Sequence, residues 1–566
     1  MTRLLKVAAI VCAVIAVLVV ALLPPETRRT APPPATTVRG AFHIHSNRSD
    51  GSGTVDAIAE AAAAAGLQFI ILTDHGDGTR PPDAPAYRSG VLVLDGVELN
   101  TSAGHYAVID LPRAPYPLAG TPDEVIEDVT RLGGFGFAAH PGSPRASLSW
   151  RGWESRVDGV EWINADSEWR DEPSLPIARV LLTYLFRAPQ SLAMLLDRQG
   201  AVFERWDAMS QTRRVVGLAA ADAHARLGFE RNDPDDSSVQ VPLPGYAASF
   251  RAFSNHVVLD APLAGDAASD ARRLSASIRD GRVYSVIDAL ASPGALTFTA
   301  TSGTHAASVG GNLPIEGDVI VRATVSAPPG TSLVLLRDGR RVHEVTDGPL
   351  EMNGGREPAV YRVEAYTANA PGGLSVPWIV SNPIYAGLPH TIAPPGAAPE
   401  PTSRISARTS EVAAEHGPGD TSLVVAAPLD DARARTFAGD PAINWTFALS
   451  PGTPAGQYAA VAIPVTGGLA AYDRIRFVTS SAAPMRVWVQ LRAPVGNTER
   501  WGATFYTSRE PGAVDVPLAK FRAIGVTSSP LAPLDRVDTI LFVVDTLNTL
   551  PGTKGSLTIA DVGLVK

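Results

Sequence analysis

Cysteine is all but missing from this chain of 566 residues: Cys12 is the only one. No disulfide can form within the chain, so stability rests on burying apolar surface, which this length allows in several domains. The scarcity is compatible with export without demanding it. Lysine is nearly absent too, and 57 acidic residues against 48 basic ones leave a formal net charge of −9 and no basic stripe. Electrostatics therefore argue against a nucleic-acid polymer as partner or substrate. Alanine, glycine and proline are abundant, which reads as nucleotide bias in the genome and not as function.

What is there begins with an uninterrupted apolar run, Val7 to Leu23, preceded by Arg3 and Lys6. It is long enough for a short transmembrane helix or a long signal-peptide core. No clean small-x-small cleavage site lies before Pro24-Pro25, so residues 1–23 read as an uncleaved membrane anchor, single-pass, with the rest of the chain outside the cell membrane. Secretion after signal cleavage is the alternative. Arg28 and Arg29 on the far flank weaken the topology argument, and Cys12 sits too early in the run for a lipoprotein. Residues 24–38 form a proline-rich stalk that spans up to roughly 3 Å per residue if extended.

Five short motifs, each at the end of an apolar run, carry the chemistry: HIHSNRSDG (43–51), FIILTDHG (69–76), VLVLDGVEL (91–99), FGFAAHPG (135–142) and VVGLAAADAH (215–224). Imidazole nitrogens and carboxylate oxygens at strand ends are what a cluster of divalent metals needs, and the mixture suits zinc, manganese or iron. Residues two apart on a strand share a face, so His43 and His45 can grip one ion together, with Ile44 turned away. A solitary histidine such as His305, His343, His390 or His416 is an ordinary core or surface residue.

The order His-x-His, Asp-His, Glu, His, Asp-x-His resembles the PHP (polymerase and histidinol phosphatase) superfamily of metal-dependent hydrolases, over about residues 39–285. Ser-Asp-Gly after the first pair, Ala-His-Pro at 139–141 and VPWIVSNPIYAG (376–387) look like its exported, carbaryl-hydrolase-like branch. The resemblance implies a distorted barrel of parallel strands and two or three divalent metal ions. His43, His45, Glu98 and Asp222 would hold the first, Glu98 would bridge to a second that takes His140, and Asp50, His75 and His224 would hold a third. His105, in SAGHYAVID, would either complete the second site or face the cleft as a catalytic proton donor. Two ions sharing a carboxylate lower the pKa of a bridging water and neutralise a developing oxyanion, so the expected activity is hydrolysis by metal-activated hydroxide.

Asp74 either stands behind His75 and fixes its tautomer or caps a turn through Gly76 and Gly78. Arg48, Arg145 and Arg226 follow metal motifs; they either clamp a phosphoryl group or are merely solvated. Asn164 ends GVEWIN (159–164), where its amide lines the site or serves a turn. A small, phosphorylated molecule is the substrate this set favours, with an ester or carbamate as the alternative.

The fold class is α/β: a distorted (β/α)7-type PHP barrel followed by two all-β sandwich domains. Apolar runs at 41–44, 69–72, 91–94, 106–109, 135–139, 159–163 and 215–220 have strand length and lack alternation, as parallel strands covered on both faces do. Thr54 caps a helix over 55–65, and another covers 122–132 and stops at Gly133-Gly134. Strand, helix, strand at this rhythm predicts parallel pairing with the motifs at the carboxyl ends. Residues 175–213 read as a helical pair broken at Ala188-Pro189, either ordinary covering helices or a lid or membrane-touching patch.

The barrel is assigned to 39–287. A small β-sandwich with a hairpin turn at Asp338-Gly339 follows over 288–387, then a linker, 388–403, and a jelly-roll sandwich of the galactose-binding type over 404–566. In MRVWVQLR, Arg486, Trp488, Gln490 and Arg492 share a face opposite Val487, Val489 and Leu491. Trp488 either packs or stacks on a glycan. An enzyme is the favoured reading; the alternative is a non-catalytic surface protein that binds glycans through its sandwiches.

Overall fold

The computed structural model describes residues 20–228, 240–241, 243–368, 376–388, 403–404, 413–416, 436–437, 440–451, 457–494 and 499–566. Most of the expected anchor (1–19, with Cys12) and nearly all of the linker 388–403 lie outside the described residues. Among the described residues no helix is long and apolar enough to cross a membrane. The chain divides into two compact units, Met1–Pro112 with Gly120–Thr391, and Arg113–Ala119 with Ile392–Lys566.

The first unit holds a closed barrel. Its strands are β1 (Thr37–Ile44), β2 (Phe69–Leu72), β3 (Val91–Asp95), β4 (Val97–Thr101), β5 (Gly104–Ile109), β6 (Phe135–Ala138), β7 (Gly159–Asn164) and β8 (Val216–Ala223). Six of them run parallel in the order β6-β7-β8-β1-β2-β3. Every residue of β2, β6, β7 and β8 is buried, as strands sandwiched between helices and a packed interior must be.

Among these eight strands the hairpin β4–β5 departs from parallel pairing, antiparallel within itself and to β6. Only Ser102 and Ala103 separate these strands, too few for a crossover. The expectation of parallel pairing throughout is corrected there, and the hairpin brings Glu98 and His105 to neighbouring positions.

Local signals set the helices. In α1 (Val55–Ala64) the Thr54 hydroxyl accepts from Ala57 N at 3.3 Å. Thr121 N donates to Glu124 at 2.7 Å ahead of α2 (Pro122–Leu132), and Gly133, at φ 94°, ends it. Of the pair expected over 175–213, the first helix, α3 (Ser174–Leu192), runs on through Ala188-Pro189, and the second, α4 (Gly200–Ser210), is shorter than expected because residues 193–199 are not helical. A kink interrupts α3 at Arg187, whose φ/ψ of −143°/60° is not helical, two residues before Pro189; the proline ring excludes a regular turn there.

Two more strands follow: β9 (Ser254–Val258) pairs antiparallel with β1, β10 (Val283–Val286) pairs antiparallel with β9, and β10 continues onto Ile379–Ser381. The barrel sheet thus runs on into the small sandwich. One sandwich layer holds Ala295–Ser302, His305–Ser308, Ile320–Ser326 and Leu350–Asn353; the other holds Ser332–Arg337, Arg340–Thr346 and Ala359–Tyr366. The Asp338-Gly339 turn forms as expected, with both residues at positive φ (53° and 78°) between paired Arg337 and Arg340.

The second unit is a β-sandwich. One sheet contains Ile443–Ala448, Arg474–Ser481, Gly512–Pro517 and Lys554–Val565; the other contains Tyr458–Pro464, Met485–Ala493, Glu499–Thr507 and Thr539–Asp545. Phe477 from the first sheet meets Phe505 and Phe542 from the second edge-on, with centroids 4.8 and 5.0 Å apart. Val487, Val489 and Leu491 are buried as alternation requires, while Trp488 on the other face is half-buried.

Candidate metal centre

The carboxyl ends of the barrel strands bring the five motifs into one pocket. Nε2 of His43 and Nε2 of His45 face each other at 3.1 Å. Glu98 Oε2 lies 3.2 and 3.3 Å from these two nitrogens, and Asp222 Oδ1 lies 3.4 and 3.3 Å from them. Ligands about 2.0–2.1 Å from a tetrahedral zinc sit roughly 3.3 Å from one another, so this spacing fits one ion.

Glu98 is the hub. Its Oε2 also lies 3.2 Å from His75 Nδ1, while Oε1 lies 2.8 Å from His140 Nε2 and 2.9 Å from His105 Nδ1. Five imidazoles around one buried carboxylate bring lone pairs together that repel unless protons or cations lie between them. His105 approaches the same Glu98 oxygen as His140 and forms, with His75 and Glu98, a group that could hold an ion. A third group forms at Asp50, whose Oδ2 is 3.2 Å from His224 Nε2 and 3.5 Å from His75 Nε2. His45 Nδ1 lies 3.2 Å from Asp50 Oδ1. Donation there leaves His45 Nε2 for the first group.

The backbone is bent to achieve this. His43, His140 and Asp222 adopt positive φ of 62°, 32° and 41°, a region that costs non-glycine residues about 1–3 kcal/mol each. His43 and His45 converge as expected, on a kinked strand end and not on a regular pleat. Gly51 is required because a Cβ there would stand 2.2 Å from the His45 carbonyl oxygen.

Electrostatics reinforce the picture. Burial would lower the His43 imidazole, yet Asp222, Glu161 and Glu98 outweigh it and hold it well above its ordinary value. Burial likewise opposes ionisation of Glu98 and Asp222, and the histidines, His43 foremost, hold both well below the carboxylate range. Without metal, the pocket attracts protons; the same field attracts cations.

Several residues stand behind the clustered side chains. Glu161, which sequence reasoning missed, accepts from His43 Nδ1 at 2.5 Å, from His140 N at 2.6 Å and from Asn164 Nδ2 at 2.9 Å. Its one signal was an acid inside the apolar strand GVEWIN. Also missed was Tyr246, whose hydroxyl lies 2.8 and 3.1 Å from the carbonyls of His45 and His224. His140 Nδ1 donates to Leu148 O (3.1 Å) and His224 Nδ1 to Asp222 O (2.9 Å), which leaves each Nε2 for the cluster.

The remaining candidates divide. Asn164 does not line open space: its Nδ2 holds Asp222 Oδ2 at 3.1 Å and its Oδ1 caps the following helical turn at Ser167 N. Asp74 neither contacts the His75 ring by hydrogen bond nor caps the Gly76 turn. It accepts from Ser46 N, Ser46 Oγ and Ser49 Oγ, each at 2.7 Å, and so braces the loop after His45. Arg48 pairs with Asp83 and Asp95 and lines a smaller cavity with Asp74 and His75. Arg145 and Arg226 line a cavity of about 480 Å³ that opens beside Asp222 and His224.

No protein-family model and no curated protein matches the chain. Among solved structures, it is similar to a family 11 carbohydrate-binding module from Clostridium thermocellum in complex with a beta-1,3-1,4-mixed-linked tetrasaccharide. That match has 14% identity over 29% of this chain and 94% of that one, with a TM-score of 0.23. A family 11 module of a cellulosomal cellulase of the same organism matches at 15% identity over 30% and 96%, also at 0.23. A family 30 carbohydrate-binding module matches at 14% over 26% and 88%, at 0.19.

Proposed function

We propose that the barrel is a PHP-type metal-dependent hydrolase acting on phosphoesters, carried outside the cell membrane on the amino-terminal anchor. The observation that carries this reading is Glu98, one carboxylate shared by five imidazoles. Divalent ions bound here would lower the pKa of water and neutralise charge growing on the substrate. His43, His45, Glu98 and Asp222 would hold one, Glu98, His140 and His105 a second, and Asp50, His75 and His224 a third. Glu161 keeps His43 in the tautomer that offers Nε2. Arg145 and Arg226, in the adjoining cavity, would take non-bridging phosphoryl oxygens.

Metal content of the full chain, followed by turnover of generic phosphomonoesters, phosphodiesters and carboxylic esters, tests the reading. Two or three ions per chain and phosphoester turnover abolished by His43→Ala are expected. Turnover of carboxylic esters or carbamates alone would shift the substrate class, and unchanged hydrolysis in His43→Ala would end the assignment.

A second reading, glycan contact through the carboxyl-terminal sandwich, rests on Tyr458 and Trp488. Both are half-buried on the same sheet face, against Ala460, Ala462, Leu541 and Val543. Such a platform suits sugar stacking. Retardation in gels containing soluble β-glucan, lost in Trp488→Ala, is the expected result.

A further inference from the structure

The cavity of about 480 Å³ beside Asp222 and His224 is wide enough for a ligand of drug size. Arg145, Arg226 and an Arg170 paired with Asp166 supply its charged lining, beside Asp222. Beyond them the wall is apolar, formed by Trp169, Ile177, Leu192, Leu195, Leu196 and Phe253. A small phosphorylated metabolite, polar throughout, would leave such a wall wet.

Helix α3, which supplies Ile177 and Leu192 to that wall, is apolar on its outer side as well. Leu175, Leu185 and Phe186 are 81%, 86% and 64% exposed, and Leu181 and Leu182 are exposed beside them. Spacings of four and seven residues gather these side chains on one side of the helix. Isolated exposed leucines need no explanation; a contiguous group does. The same helix is tied to the chain just where the amino-terminal apolar run ends. Arg179 Nε donates to Leu22 O at 3.0 Å, Arg187 donates to Pro24 O and pairs with Glu26, and Gln190 Nε2 donates to Thr27 Oγ1 at 2.8 Å. An anchor over 7–23 therefore brings α3 to the bilayer surface, where leucine and phenylalanine enter the acyl boundary and arginine stems reach back to water.

We propose that the substrate is an amphiphile drawn from the lipid bilayer, with an anionic ester head at the metal centre and its alkyl chain in the adjoining cavity. This deepens the hydrolase reading and rests on it. For an alkyl phosphate monoester, the oxygen of water bonds to phosphorus, the phosphorus–oxygen bond to the alkyl group breaks, and the leaving alkoxide takes up a proton. The products are the alcohol and inorganic phosphate.

The test uses the full chain in phosphatidylcholine nanodiscs, with n-alkyl phosphates from butyl to dodecyl as substrates and the matching non-hydrolysable alkylphosphonates as ligands for calorimetry. Both kcat/KM and phosphonate affinity are expected to rise about fourfold per methylene until the cavity is filled. Ile177→Trp, which occupies the cavity, should bring the dodecyl compounds down to the butyl level in both readouts. Leu185→Asp with Phe186→Asp should reduce turnover of dodecyl phosphate in the bilayer and leave butyl phosphate unchanged.

Values that do not vary with chain length, or variants indistinguishable from the parent on dodecyl compounds, would overturn the proposal while phosphoester turnover left the hydrolase reading standing. A metal-loaded chain that hydrolyses no ester, yet binds phosphonates according to chain length, would sink the hydrolase reading and with it the amphiphile as substrate, leaving the cavity as a site that binds amphiphiles.

Discussion

Glu161 shows what a single residue does from behind the clustered histidines. It orients His43 through Nδ1 and anchors the His140 backbone, so its loss should loosen two groups of ligands. Glu161→Gln keeps the shape and removes the charge that draws the His43 proton. Metal affinity, titrated calorimetrically on the metal-free chain, is expected to fall about 10- to 100-fold with circular dichroism unchanged. His105 poses the sharper residue question, since a ligand and a proton donor leave different traces. Its 2.9 Å approach to Glu98 predicts that His105→Ala binds one ion fewer per chain by elemental analysis. Full metal content with reduced kcat alone would instead return it to the role of proton donor.

At the scale of elements, the bend between β3 and β4 carries Glu98 into the pocket, and Gly96 makes it possible. A Cβ at Gly96 would meet Val108 O at 2.4 Å and Leu72 O at 2.9 Å, backbone atoms that cannot move aside. Gly96→Ala should cost about 1–3 kcal/mol in denaturant unfolding and weaken metal retention, because Glu98 shifts with the strand. Most elements were legible locally: apolar runs marked the strands, Thr54 and Thr121 the helix starts, Gly133 a helix stop, and Asp338-Gly339 a hairpin. The antiparallel hairpin β4–β5 was not, because Val97–Thr101 carries no apolar run of its own and the run at 106–109 looks like the parallel strands around it.

For the whole molecule, the pocket couples folding to pH, and bound metal would couple to it as well. His43, His45, His140 and His224 are raised in the fold. In the metal-free chain their contribution is full below the unfolded imidazole value of about 6.5 and is lost as pH climbs through the raised values. Glu98 and Asp222 are lowered, so their contribution is present above the unfolded carboxylate range and lost only as pH falls through the depressed values. Cations need neutral imidazoles and bind better as pH rises. The stabilisation by zinc or manganese over a chelated sample, about 2.7 kcal/mol at a hundredfold excess over Kd, should therefore grow from pH 6 to 8 in calorimetric scans. A gain that shrank with pH would mean that the cation binds elsewhere.

The sequence by itself determined the ligand types, the strand ends that bear them and the change from an α/β region to β-sandwiches, because periodicity and motif order are local properties. Only the tertiary structure decided which groups meet. Asn164 and Asp74 became braces, Arg48 was drawn to Asp83 and Asp95, and Glu161 and Tyr246 joined the site from segments with almost no signal of their own. The physical reason is that a hydrogen bond or a shared cation depends on distances of about 3 Å across barrel closure, and spacing along the chain does not contain them.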